Sequence, residues 1–263
     1  MNHFIEYGED PEEKGYITVH TGSRNLGTRI CDYWVSTGSK SIVKEAIKEA
    51  NKKIKAEEPD RRKWRALIEQ STKEIKEKNP EGYLSGDSAK GYYSDMVIAQ
   101  AYASFNHLEI LRRLSKILRG FGINEIDRIK STHNYIDFED LIIRKGAIRA
   151  GENEIVLIPF NMRDGLGIFR GLGNPDWNNS APHGAGRRMS RAKAFENLNM
   201  AEFSKTMEGI YSTSVVPSVL DESPMAYKDS GEILDLIDGK TVELLKIVKP
   251  KINLKDNGIR DRY

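Results

Sequence analysis

Hydrophobic periodicity divides this sequence into a helical middle section and strand-like sections on either side. Between residues 39 and 78, apolar side chains recur at i, i+3 and i+4 in two runs that Pro59-Asp60 separates. Because residues three and four apart share one face of a helix, this spacing predicts an amphipathic helical hairpin. A second stripe predicts a long helix that Ser94 caps and that ends at about Leu118, before Gly120.

Short apolar or alternating runs outside the middle section are typical of strands. The predicted strands are Gly15–His20, Asp127–His133, Asp137–Lys145, Glu154–Pro159 and Gly167–Gly171. Further helices are expected at about Thr28–Val35, at about Arg187–Leu198 and near Ser230–Ile237. We therefore predict the α+β class: one domain over residues 1–263, with mixed β-sheets around a central site and an inserted helical hairpin at about residues 39–80.

The composition predicts a protein that folds without covalent cross-links. A chain of 263 residues can bury roughly 70% of the surface that its unfolded form exposes. The single cysteine, Cys31, excludes an internal disulfide, fits a reducing compartment and is expected to be buried. No apolar run approaches the ~18 residues of a membrane span, and the first residues lack the features of a signal peptide. We expect a soluble, cytoplasmic protein with no membrane partner.

Charge is distributed unevenly along the chain. The net charge of +2 excludes a strongly basic, histone-like protein, but residues 40–78 hold 13 basic and 8 acidic side chains. Lys40, Lys44, Lys48 and Lys52 form a stripe at i, i+4 spacing. This stripe is either a solvated helix face or an electrostatic guide for a polyanion, and the sequence leaves both interpretations open.

One glycine-rich segment carries the clearest chemical signal. Residues 180–191 read Ser-Ala-Pro-His-Gly-Ala-Gly-Arg-Arg-Met-Ser-Arg. Gly184 and Gly186 allow the backbone to approach a ligand closely, and arginines in the first turn of the predicted helix suit a bound anion. Neutral imidazole is available near pH 7, so His183 is a candidate nucleophile. The alternative is a surface loop with a capping histidine.

Three other histidines lie at or near the ends of predicted strands. His20 precedes a glycine-bracketed loop that can aim N–H groups at an anion, His3 opens an apolar run, and His133 ends another strand. Imidazole binds zinc, manganese, iron or nickel, so three converging histidines would favour a metal-assisted site. Each could instead be a hydrogen-bonded structural residue, which is how we interpret His107 in the middle of the long helix.

Five motifs occur in an order and rough spacing that resemble those of the RtcB family of RNA-splicing ligases. The motifs are Asn2-His3-Phe4-Ile5-Glu6, His20–Gly27, His133-Asn134, Arg144–Ala147 and Ser180–Arg191. The resemblance extends along nearly the whole chain. It implies an enzyme that joins RNA 3′-phosphate or 2′,3′-cyclic phosphate ends to 5′-hydroxyl ends, with GTP and two manganese ions. The implied partners are RNAs with broken ends, such as tRNA halves or damaged RNA.

The resemblance also implies a role for individual residues. His183 would become guanylylated, and His3, His20 and His133 would bind manganese. Tyr227 would stack on the guanine base, and Lys255 would contact it. The residues implied to contact the nucleotide are Asn2, Glu6, His133, Asn134, Ala185, Gly186, Arg187, Tyr227 and Lys255.

Two departures from the family pattern qualify these expectations. The family has an upstream segment resembling Asp-x-Gly-x-Gly-x-x-Cys, whose Asp and Cys complete the metal site, and we expect this chain to need that segment or an accessory activator. The loops at residues 159–165 and 173–178 also differ, which indicates a divergent subgroup. Two further functions therefore remain open: a catalytically impaired RNA- or nucleotide-binding fragment, and a metal-dependent phosphohydrolase without a covalent intermediate.

Overall fold

A computed structural model describes residues 3–78 and 83–256, without the side chains of residues 39–42. The chain divides into two compact units. The first comprises the described residues of Met1–Thr21 and His107–Tyr263, and the second is Gly22–Asn106. The hairpin predicted at about residues 39–80 falls inside the second unit. That residues 1–263 form one domain with this hairpin as an insertion stays a prediction.

The first unit contains two antiparallel sheets. The larger sheet has the strand order β2-β1-β8-β6-β5, and the smaller has the order β3-β4-β7. The α+β class is confirmed, and every ladder between the described strands is antiparallel. The strands are β1 (Phe4–Glu9), β2 (Gly15–His20), β3 (His133–Asp137), β4 (Ile142–Arg149), β5 (Ile155–Pro159), β6 (Leu166–Gly171), β7 (Ser180–Pro182) and β8 (Val242–Lys255).

The main core lies where β5, β6 and β8 meet the smaller sheet and one short helix. Ile158, Phe169 and Val242 have almost no exposed surface, and they pack with Ile148 of β4 and Ile233 of a late helix. Burial of such side chains contributes roughly 1.5–3 kcal/mol each. The strand β8 pairs with β1 on one side and with β6 on the other, so the core fixes the position of both strands.

The second unit is helical. Its elements are α1 (Arg24–Glu57), a 3₁₀ turn (Arg61–Lys63), α2 (Trp64–Lys78) and the first part of α3 (Gly86–Arg119). The predicted break at Pro59-Asp60 is confirmed, since Asp60 accepts a hydrogen bond from the Arg62 backbone N–H and caps the turn. Within this unit the Trp34 indole N–H donates to Asp95 at 2.8 Å. The described lysines of the charged stripe, Lys44, Lys48 and Lys52, are exposed.

The remaining helices belong to the first unit. They are α4 (Arg191–Asn197), α5 (Met200–Thr206) and α6 (Ser230–Ile237), with 3₁₀ turns at Pro175–Trp177, Pro217–Glu222 and Pro224–Ala226. The prediction for α6 is confirmed, because the helix spans Ser230–Ile237, and Asp229 caps its first turn. Among the described residues, no helix has both the length and the apolarity that crossing a membrane would require.

Several element boundaries differ from the prediction. The expected short helix at Thr28–Val35 is part of the continuous α1, and α3 begins at Gly86, eight residues before Ser94. The residues before His133 form no strand, and β3 begins at this histidine, because its partner β4 ends at Arg149. Cys31 is exposed on α1 and not buried.

Candidate active site

One row of side chains crosses three strands of the larger sheet. Phe4 on β1 lies opposite His20 on β2 and opposite Lys255 on β8. Directly opposed residues in antiparallel strands project from the same face, so the three side chains are neighbours. The ring centres of Phe4 and His20 are 5.2 Å apart, and Lys255 Nζ lies 5.6 Å from the centre of the Phe4 ring. The register of β8 thus brings the C-terminal Lys255 beside the N-terminal histidines.

The next row on the same face holds a buried carboxyl group. Glu6 lies opposite Asn253, whose Nδ2 donates a hydrogen bond to Glu6 Oε2. Burial raises the pKa of Glu6 to about 7, although Asn253 and the charge of Lys255 act in the opposite direction. The carboxyl group therefore titrates near neutral pH inside the site.

Four histidines predicted from the sequence meet beside this row. His20 Nε2 and His133 Nε2 are 3.1 Å apart, and the rings of His133 and His183 have centres 4.7 Å apart. The ring centre of His3 is 6.5 Å from that of His20. Burial, reinforced by the neighbouring histidines, lowers the pKa of His20 to about 3, and burial also lowers the pKa of His133. Both imidazoles are consequently neutral near pH 7.

The orientation of His183 is determined by a backbone carbonyl. Its Nδ1 lies 2.7 Å from the carbonyl oxygen of Gly146. Because a carbonyl only accepts, Nδ1 carries the proton in the neutral ring and Nε2 keeps its lone pair. The Gly146 N–H in turn donates to Asn134 Oδ1 at 2.7 Å. Asn134 and Gly146 both have a positive φ, of 55° and 70°.

The opposite end of the site is organised around Glu222. The Tyr227 hydroxyl donates to Glu222 Oε2 at 2.6 Å, and Lys255 Nζ lies 3.1 Å from the same oxygen. Arg191 lies 2.6 Å from the other oxygen. Burial opposes ionisation of Glu222, but Lys255, Tyr227 and Arg191 outweigh it and hold its pKa at about 2. The Arg187 guanidinium lies 5.2 Å from the centre of the Tyr227 ring.

A cavity of about 340 Å³ joins the two ends of this site. This volume lies within the range of small-molecule sites. Eight residues predicted from the sequence line it: Glu6, His20, His183, Ala185, Gly186, Arg187, Tyr227 and Lys255. His133 and Asn134 are not among its lining residues, but they contact His20 and Gly146, respectively. Asn2 lies outside the described residues.

The prediction that arginines open a helix after the glycine loop is wrong for two of the three. The helix α4 begins at Arg191, with Ser190 as its N-cap, so Arg187 and Arg188 precede it. The carboxylates of Asp221 and Glu222 pair with Arg191, and the protein itself therefore supplies the anion that we expected as a ligand.

The sequence analysis assigned no role to three residues of the site. Phe4 and Asn253 line the cavity, and Glu222 pairs with the cations Arg191 and Lys255. Asn253 is the polar residue among the four buried positions of β8, where the other three are Val242, Val248 and Pro250. Glu222 lies in a short 3₁₀ segment with no periodicity, so no local pattern identifies it.

The histidine cluster fits part of a manganese site, the metal that the family resemblance implies. The 3.1 Å spacing of the two Nε2 atoms suits neighbouring ligands of one ion, each at ~2.0–2.2 Å. His133 Nδ1 is buried and receives no hydrogen bond from the described part of the chain. Within residues 3–78 and 83–256, however, no group of three or more His, Cys, Asp or Glu side chains is arranged to hold a metal ion. The described residues thus supply a ligand pair and not a complete site.

Known proteins resemble this chain along most of its length. It is 24% identical to the RNA-splicing ligase RtcB of Escherichia coli K12 over 262 residues, which cover 94% of this chain and 57% of that protein. The tRNA-splicing ligase RtcB of Nanoarchaeum equitans is 26% identical, with 89% of this chain and 53% of that protein covered. The tRNA-splicing ligase RtcB of Methanopyrus kandleri is 26% identical over 314 residues, which cover 98% of this chain and 29% of that protein.

The chain spans between about three tenths and six tenths of the length of these curated relatives. A family model described as the tRNA-splicing ligase RtcB matches residues 1–256. That match includes the histidine cluster, the glycine loop and the strand β8 that joins them to the Glu222 end of the cavity. This chain therefore belongs to the RtcB family.

Proposed function

We propose that this protein takes part in GTP-dependent RNA ligation, with His183 as the covalent nucleophile. The reaction would join an RNA 3′-phosphate to a 5′-hydroxyl end, and a 2′,3′-cyclic phosphate would first be opened by hydrolysis. The substrates would be RNAs with broken ends, such as tRNA halves. The observation that carries the proposal is the hydrogen bond from His183 Nδ1 to the Gly146 carbonyl, beside the 340 Å³ cavity.

This hydrogen bond prepares His183 for nucleophilic attack. With Nδ1 protonated, Nε2 holds the free electron pair, and no proton has to leave before it attacks. In the proposed first step, Nε2 forms a bond to the α-phosphorus of GTP and the bond to pyrophosphate breaks. The product would be a histidine–guanylate phosphoramidate.

The later steps transfer this guanylate. An oxygen of the RNA 3′-phosphate would attack the same phosphorus and release His183, which activates the RNA end. The 5′-hydroxyl of the second RNA would then attack the RNA phosphorus, lose its proton and release GMP. Each displacement exchanges one bond at phosphorus for another, so positioning and charge stabilisation dominate the catalysis.

The Glu222 end of the cavity would hold the guanine base. Tyr227 presents an aromatic ring, and its hydroxyl group is anchored on Glu222. Lys255 Nζ is a donor for a base oxygen and is held by the same carboxylate. Glu6 also lines the cavity, in the strand row next to Lys255, while Ala185 and Gly186 would lie along the ribose. Stacking and directed hydrogen bonds together distinguish one base from another.

Manganese would be held by His20 and His133, with His3 as a third candidate ligand. When bound, the ions would neutralise the charge of the GTP phosphates. Neutral imidazole is the form that binds metal, and the low pKa values of His20 and His133 provide it without competition from protons.

Incubation with α-labelled GTP and manganese tests the proposal. We expect a labelled, acid-labile protein adduct with wild type and with His107→Ala, and none with His183→Ala. Covalent label on His183→Ala at the wild-type level would refute the assignment of the nucleophile. Nucleotide binding without label in wild type would favour a non-catalytic binding fragment, whereas phosphate release without label would favour a phosphohydrolase.

A further inference from the structure

A second cavity lies in the first unit, and the site described above shares no residue with it. It has a volume of about 450 Å³, and we call it the arginine groove. Its lining residues are Leu108, Arg112, Ser115, Arg119, Asn124, Glu125 and Arg128. Three guanidinium groups around one concave surface are unusual for a face that serves only solvation, since arginine is the side chain best suited to bidentate phosphate contacts.

The charge around the arginine groove is positive. Residues 107–130 include six basic and three acidic side chains. Arg112 pairs with Glu109 and Arg128 pairs with Glu125, but all four side chains are between 39% and 63% exposed. Both pairs are bidentate, but solvent screens charges at this exposure, so a phosphate can compete with the carboxylates for the guanidinium groups. Arg119 donates its Nε–H to the Ser115 carbonyl and forms no ion pair within the described residues.

An exposed aromatic ring follows the groove directly in the sequence. Phe121 is 78% exposed and comes two residues after Arg119, at the end of α3. A positive groove combined with an exposed aromatic side chain is the arrangement that binds single-stranded nucleic acid, because phosphates contact the cations and a base stacks on the ring.

The helix α3 links the arginine groove to the histidine cluster. His107 Nε2 accepts a hydrogen bond from the backbone N–H of Thr21, the residue after His20. At ~1.5 Å per residue, Arg112 and Arg119 lie ~8 Å and ~18 Å along the helix from this contact. A stacked strand advances ~3.4 Å per nucleotide, so this interval corresponds to about two to five nucleotides.

We propose that the arginine groove binds the phosphodiester backbone of the RNA to be joined, a few nucleotides away from the reacting end. This inference rests on the proposed function of the His183 site and adds to it a path for the RNA strand. It predicts that RNA affinity depends on length, because a strand too short to reach the groove gains nothing from it.

The test compares Arg119→Glu/Arg128→Glu with wild type, using fluorescence anisotropy on oligoribonucleotides of 12 and 2 nucleotides with a 3′-phosphate. We expect the 12-mer to bind at least 10-fold more weakly to the variant and the 2-mer to bind equally well. The slope of log K against log salt should decrease by about 0.7 for each phosphate that the variant no longer neutralises. Arg170→Glu is the matched control, since Arg170 is also half-exposed and paired with a glutamate, Glu243.

Two further measurements make the result unambiguous. Guanylylation in the absence of RNA should be the same in the variant as in wild type. If neither protein were guanylylated, the result would contradict the proposed function of His183 and not the role of the arginine groove. The milder Arg119→Gln guards against misfolding and should weaken 12-mer binding in the same direction. Wild-type affinity and salt slope in both variants would overturn the inference. The inference would also be overturned if inorganic phosphate competed with the 12-mer as strongly as an equal concentration of RNA phosphate does. That result would indicate a site for free anions.

Discussion

At the scale of single residues, the orientation of His183, the proposed nucleophile, depends on two neighbours that do not line the cavity. Gly146 supplies the carbonyl that binds Nδ1, and Asn134 anchors the Gly146 N–H. Asn134 adopts a left-handed conformation that asparagine tolerates better than most residues, and its short side chain then reaches the next strand. We interpret it as a positioning residue for the proposed nucleophile.

Replacing Asn134 by alanine should therefore slow guanylylation while leaving GTP binding nearly unchanged. We expect a decrease of about 10- to 100-fold in the single-turnover rate, the range that misplacement of a reacting group produces. Asn153→Ala is the matched control, because Asn153 has a φ of 61° but lies outside the site. Nitrogen-15 shifts of His183 should show a mixture of tautomers in Asn134→Ala only. Equal rates and equal tautomers in the two variants would contradict this role.

At the scale of elements, β8 carries the site because it is held on both sides. Its pairing with β1 has a shift in register at Tyr7/Gly8, next to Pro250. A Cβ on Gly8 would lie 2.6 Å from the Lys249 carbonyl oxygen and 2.8 Å from Val248 Cγ1. The absence of a side chain at Gly8 is what lets the two strands approach at this point.

We expect Gly8→Ala to lower the free energy of unfolding by about 1–3 kcal/mol, the usual effect of overpacking. Urea denaturation monitored by circular dichroism measures this change. Gly22→Ala is the control, since a Cβ at Gly22 meets nothing within 4 Å and its φ is not positive. Equal free energies of unfolding for Gly8→Ala and Gly22→Ala would contradict the close approach of β1 and β8 at Gly8.

At the scale of the whole molecule, Glu222 links stability to pH. It joins the 3₁₀ segment Pro217–Glu222 to β8 through Lys255, and both side chains of this pair are almost completely buried. Its pKa is about 2 in the folded protein against an ordinary value of 4.5. A carboxyl group whose pKa is lower in the folded than in the unfolded protein stabilises the folded state at pH values above its unfolded pKa. This contribution is lost as the pH falls from 4.5 toward 2.

Glu222→Gln should therefore destabilise the protein by about 3 kcal/mol at pH 7 and by about half as much at pH 3. Urea midpoints at the two pH values provide the measurement. Glu243→Gln removes an exposed partner of Arg170 and should change stability by less than ~1 kcal/mol at either pH. A constant difference between wild type and Glu222→Gln from pH 7 to pH 3 would show that the carboxylate is not held ionised by its neighbours.

Local patterns in the sequence were enough to predict several features of this protein. The 3.6-residue period predicted the α1–α2 hairpin, and the helix expected near Ser230–Ile237 is α6. The motifs around His3, His20, His133 and His183 led to the RtcB family, which the match over residues 1–256 confirms. These features depend on neighbours within a few residues, where side-chain spacing and backbone preference act directly.

Only the tertiary structure determined how the parts of the site meet. The register of β8 against β1 places Lys255 beside Phe4, and these residues are 251 positions apart in the sequence. The role of Glu222 depends on cations from two other elements, and the proton on His183 Nδ1 depends on a carbonyl 37 residues earlier. Strand register, burial and long-range hydrogen bonds are set by the packing of the whole core, so no local pattern encodes them.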